Sequence, residues 1–139
     1  MELADPAHVL VVANRTAATQ ALLDAVHARV ERDGAVYFHL LVPHSPQAYA
    51  VVDRAVPLLE AAAHRPVTGS ASRRLDPMDA IEEALHDGDF DEIILSTLPP
   101  HASRWLRMDL PSRVAHLGLP LTLVVAEAVR PPRAEPASR

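Results

Sequence analysis

HVLVVANRT, residues 8–16, decides the fold. Its first six residues, 8–13, are apolar after the histidine and show no alternation, the pattern of a strand buried on both faces of a parallel sheet. The polar Asn14-Arg15-Thr16 breaks the run, and Leu22, Val26 and Val30 then repeat at four-residue spacing, which predicts an amphipathic helix with Thr16 as its cap. Gly34 ends that helix, because glycine accepts the left-handed conformation found just beyond helix C-termini. Strand, loop and helix in immediate succession are the opening of a strand–helix–strand crossover.

The same unit recurs along the chain. AVYFHLLV, residues 35–42, reads as a second buried strand, with His39 a hydrogen-bonded, partly buried residue within it. Ser45-Pro46 opens a helix to about Ala63 that Pro57 is expected to kink or split. PVTG (66–69) is a short third strand, and a helix presenting Ile81 and Leu85 to the core runs from Asp76-Pro77 to Gly88. FDEIILS (90–96) is the fourth strand, residues 97–108 are a loop with a turn around Ser103, a helix over 110–117 ends at Gly118, and PLTLVVA (120–126) is the fifth strand. Five strands alternating with helices predict an α/β fold: one doubly wound domain, residues 1–128, with helices on both faces of a parallel sheet. The Pro- and Arg-rich stretch 129–139 is expected to be a disordered tail.

Composition narrows the chemistry. The chain has 139 residues, a formal net charge of -5 and no cysteine, so disulfides and thiolate metal sites are excluded and nucleic acid has no global electrostatic attraction. All 13 basic residues are arginine, which excludes a Schiff-base lysine. No apolar run approaches the ~20 residues that span a bilayer, and MELADPAHVLVVA has no basic segment before its apolar stretch, so neither a membrane span nor a signal peptide is expected and the setting is read as cytoplasmic. The eight histidines show no HExxH spacing, and no G-x-S-x-G, Walker A or G-x-G-x-x-G motif occurs. Glu82-Glu83 and Asp91-Glu92 are sequence neighbours whose side chains diverge on regular structure. These absences predict neither a metal nor a catalytic residue.

Four segments in order resemble the universal stress protein family. VLVVANRT (9–16) lies over a first strand reading like ILVPVDGS, and LDPMDAI (75–81) over a segment like GDPAEAI. DEIILSTLP (91–99) is similar to DLIVMGSRG, and SRVAHLGLPLTLVV (112–125) to ERVLRHAPCPVLVV. The resemblance covers residues 8–126 and implies a Rossmann-like, five-stranded parallel sheet of order 3-2-1-4-5, with a ligand crevice at the switch point between strands one and four. The candidate cleft residues it marks are Ala13, Asn14, Arg15, Thr16, Leu41, Ser96, Thr97, Leu98, Pro99, Ser103, Asp109 and Leu110.

The resemblance also shows what is missing. ATP-binding members resemble G-x2-G-x9-G-[ST], whose glycines bring backbone N–H groups to the phosphates. Here Ser96, Pro99, Asp109 and Leu110 occupy those positions, Pro100 removes a further N–H, and Asn14 stands where the family has a base-contacting Asp. Asp109 is expected to cap the helix after it, placing a carboxylate where phosphate would sit. Arg15, Arg104 and Arg107 are read as loop charges paired with Asp109 or neighbouring acids, and as the phosphate ligands of a remodelled pocket in the alternative; Trp105 is read as packing a loop or an interface. The expected function is thus a non-catalytic universal-stress-like module with no cofactor, acting in stress response or through a protein partner; the alternatives are an ATP- or AMP-binding module with a remodelled loop and, last, a small-molecule enzyme. The final strand would be a bare apolar edge, so a homodimer through Leu121–Ala126 is expected, as the family resemblance also implies.

Overall fold

Apolar residues at consecutive positions of a strand must find partners on both sides of the sheet, and the chain provides them. The computed structural model describes residues 6–126; the tail expected at 129–139 lies outside the described residues. Its elements are β1 (Ala7–Val12), α1 (Gln20–Arg32), β2 (Val36–Val42), α2 (Ala48–Ala63), β3 (Val67–Ala71), α3 (Pro77–Asp87), β4 (Glu92–Thr97), α4 (Arg104–Arg107), α5 (Leu110–Ala115) and β5 (Leu121–Val125). The strands form one parallel sheet in the order β3-β2-β1-β4-β5.

Alternate residues of β1 feed two cores. Val9 and Val11 meet Leu22 and Val26 of α1 and Leu59 of α2, whereas Leu10 and Val12 meet Met78 and Ile81 of α3 and Leu110 and Val114 of α5. Glu92 begins β4 on the α1 side and is buried; Arg29 of α1 grips it with Nε and Nη2 at 2.9 and 3.0 Å. Asp91, next in sequence, instead accepts the His8 N–H at 2.8 Å, so the two carboxylates diverge as their adjacency predicted.

Local chemistry explains the element ends. Asp76 accepts the Met78 N–H at 2.8 Å and Pro77 takes the first turn, the expected start of α3. Pro57 does not split α2, which runs unbroken; it sits on the exposed face, where water can serve the carbonyl whose N–H partner is lost. The helix after β1 starts at Gln20 rather than Thr16, because Thr16 turns its hydroxyl to β4. The segment expected to be loop holds the short helix α4, capped by Ser103 Oγ accepting the Leu106 N–H at 3.0 Å.

The second face is incompletely covered. On β2 and β3, the residues facing α2 are packed: a Cβ at Gly69 would come within 2.8 Å of Val56 and 2.9 Å of Val52. The opposite residues, Tyr37, His39, Thr68 and Ser70, are not roofed by a helix, and Tyr37 is 50% exposed. Thus β2 is not buried on both faces as its apolar character predicts. The alternation of polar residues at 37 and 39, and at 68 and 70, is the signal of that open face.

Candidate functional site

Parallel strands that diverge at a reversal of sheet order leave a crevice beyond their carboxyl ends. Here the reversal lies between β1 and β4, and the loops that leave them, starting at Ala13 and Leu98, meet there. A cavity of about 230 Å³ is lined by Asn14, Arg15, Thr16, Ser96, Thr97, Leu98, Ala102, Ser103, Arg104 and Trp105. Seven of the twelve expected cleft residues therefore come together. Ala13 is buried in the adjoining core, and Pro99 contributes its carbonyl to the loop rather than lining the cavity.

The centre of the crevice is closed by a hydroxyl pair. Thr16 Oγ1 and Ser96 Oγ are 2.6 Å apart, and the two residues are 2% and 1% exposed. This corrects the expectation that Thr16 caps α1: the cap position belongs to Thr19, whose own hydroxyl donates to the Thr16 carbonyl at 2.8 Å. A side chain at position 96 thus fills space that a glycine would leave to a ligand, and ties the two loops together.

The loop beyond Ser96 uses its donors internally. Pro99 and Pro100 have no N–H. The Ala102 N–H donates to the Pro99 carbonyl at 2.9 Å and the Ser103 N–H to the Pro100 carbonyl at 3.4 Å. Further along, the Leu106 and Arg107 N–H groups go to the Ser103 hydroxyl and carbonyl. Four of the loop's backbone donors, those of Ala102, Ser103, Leu106 and Arg107, are thus engaged by the turn and by α4.

Three expectations are corrected. Asp109 lies at the N-cap position of α5, but its side chain makes no capping hydrogen bond and is exposed, because its backbone is left-handed, φ 58°. It therefore does not place a carboxylate on the helix N–H groups. Leu110 and Leu41 are core residues, 0% and 4% exposed, and neither lines the strand-end cavity. Arg15, Arg104 and Arg107 make no ion pair with Asp109 or any other acid among the described residues. Trp105 packs on the core beside α5 as expected, and also lines the cavity.

No protein-family model matches the chain, and no curated protein matches it in sequence. Among solved structures it is similar to a universal stress protein crystallised in complex with cAMP, with a TM-score of 0.64 over 88% of this chain and 99% of that one, at 18% identity. The chain has the universal stress protein fold. The five strands of this chain lie in the expected order, while the low identity leaves the contents of the cleft to be read from this chain's own residues.

Sequence reasoning missed a second concavity altogether. A groove of about 900 Å³ lies on the unroofed face of β2 and β3, beside α3. At its floor His39 Nδ1 is 2.7 Å from Thr68 Oγ1 and Nε2 is 2.9 Å from Ser70 Oγ. His39 is hydrogen-bonded and half-buried, as its place in a strand predicted. Desolvation lowers its pKa from 6.5, so the folded protein resists protonation there more than the unfolded chain does. The unfolded state then binds more protons below pH 6.5, and the stability tied to neutral His39 is whole above that pH and is lost as the pH falls through the folded value. Urea titrations of wild type and His39→Gln at a series of pH values should show a flatter acid-side decline in the variant.

Proposed function

We propose that this protein is a universal-stress-like binding module that works as a homodimer and does not hold ATP in the glycine-loop manner. The observation that carries the reading is the self-bonded loop after β4. Pro99 and Pro100 lack donors, and the Ala102, Ser103, Leu106 and Arg107 N–H groups are engaged inside the loop. The Thr16–Ser96 hydroxyl pair adds to this by occupying the switch point. A volume near 230 Å³ is below the roughly 300–1,000 Å³ of ordinary small-molecule sites, too little for a nucleoside triphosphate without rearrangement. The strand-end cleft also lacks a nucleophile–base pair, so its role is recognition rather than reaction.

A second reading is favoured by the arginines. Arg15 and Arg104 line the cleft with no acid partner among the described residues, and Trp105 offers a ring on which a base can stack. A compact nucleotide such as AMP or cAMP, held by guanidinium groups in place of a glycine loop, fits that chemistry better than ATP. Thermal shifts with AMP and cAMP separate the two readings: stabilisation that Arg104→Ala removes supports the second, and no response supports the first.

The dimer rests on the sheet edge. β5 is an outer strand, and Leu123 and Val125 are each 42% exposed on it. An apolar strand with unpaired N–H and C=O groups is covered when a second copy pairs with it. Sedimentation equilibrium at tens of micromolar is expected to give a dimer for wild type and a monomer for Leu123→Asp. A wild-type monomer would remove the assembly from the proposal.

A further inference from the structure

We propose that Ser70, His39 and Thr68 form a second site, on the open face of the sheet, that hydrolyses carboxylic esters bearing an apolar acyl or aryl group. The site is built by strand register. Parallel pairing sets His39 of β2 beside Thr68 of β3, and both Thr68 and Ser70 turn to the face that α3 leaves uncovered. The imidazole bridges the two hydroxyls, 2.7 Å to Thr68 and 2.9 Å to Ser70. With the proton on Nδ1 donated to Thr68 Oγ1, Nε2 is left to accept the Ser70 hydroxyl proton, which is the polarity of a nucleophile, its base and a group that orients the base. Partial burial keeps this imidazole neutral near pH 7 and thus available as a base.

The surroundings match the substrate class. Tyr37, Phe90, Ala80 and Ala84 give the groove apolar walls, and its volume of about 900 Å³ accommodates a drug-sized ester. Arg73 lines the same groove and has no acid partner among the described residues, so it is the cation for the developing oxyanion. Backbone donors are also at hand. The Ser72 N–H bonds the Val42 carbonyl of β2, so by alternation the Ser70 and Thr68 N–H groups turn inward and the Ala71 N–H turns to the free edge next to the nucleophile.

The chemistry balances with water as the only co-reactant. Ser70 Oγ bonds to the ester carbonyl carbon as its proton passes to His39 Nε2. The tetrahedral adduct collapses by breaking the bond from carbon to the alcohol oxygen, which takes the proton from Nε2. Water then attacks the acyl-serine, gives a proton to Nε2, and releases the carboxylic acid as the proton returns to Ser70 Oγ.

A fluorophosphonate probe and p-nitrophenyl butyrate test the site in the full chain. Intact-mass and peptide analysis should find one phosphonyl group on Ser70. Ester turnover should fall about 100-fold in His39→Gln, the usual scale of general-base loss, and at least as far in Ser70→Ala, which has no nucleophile. Thr68 is a positioning residue: Thr68→Val should slow turnover and displace the pH–rate midpoint, and Thr68→Ser should restore both. Absence of an adduct on wild-type Ser70, or p-nitrophenolate release unchanged by Ser70→Ala, overturns the proposal. The wild-type labelling decides the matter even where a variant fails to fold.

Discussion

Arg29→Ala is expected to destabilise the protein by about 3–5 kcal/mol, the scale for removing one partner of a buried ion pair. Glu92 is 8% exposed and receives two Arg29 hydrogen bonds. Arg32, mostly exposed and 3.7 Å away, is too distant and too well solvated to replace them. The loss comes from stranding a carboxylate between α1 and β4 rather than from the net value of the pair. Replacing both residues by methionine should therefore recover most of the stability, since apolar packing avoids desolvating either charge. Urea unfolding of the two single variants and the double variant checks this; a double variant no better than Arg29→Ala would contradict it.

Leu110→Ala should cost about 2–5 kcal/mol, as truncation of a fully buried leucine does. The residue is 0% exposed and packs with Val114 and Leu10 beneath α5. Its family-motif position pointed to the cleft, whereas its burial places it in the core. The two assignments differ in outcome: a core role predicts a large loss of thermal stability, and a cleft role predicts altered ligand response with little change in stability.

The fold was legible because its signals are local and repeated. Unbroken apolar runs at 9–12 and 93–95, the Asp76-Pro77 start and the Gly88 stop each follow from chemistry within a few residues. The cleft was legible only as a place. Asn14, Arg15, Thr16, Ser96 and Thr97 meet because strand order brings distant loops together. Their hydrogen-bond partners depend on that meeting. Thr16 has two chemically reasonable uses, a helix cap and a partner for Ser96, and only the tertiary contact selects between them. Asp109 failed as a cap for a related reason: its left-handed backbone turns the side chain away from α5. The open groove was missed because β2 was read as a buried strand, although Tyr37 and His39 already broke the apolar pattern on one face.

The lost glycine loop is better described as a loop that turns four of its donors on itself than as one occupied by a carboxylate. Ser96 bridges to Thr16, two prolines remove donors, and the turn and α4 engage the Ala102, Ser103, Leu106 and Arg107 N–H groups. Ligand binding in the glycine-loop manner would have to break those bonds before making its own. Titration calorimetry of the full chain with ATP and Mg²⁺ tests this most directly. No saturable heat up to millimolar nucleotide is the result expected; stoichiometric binding at micromolar ATP would contradict it.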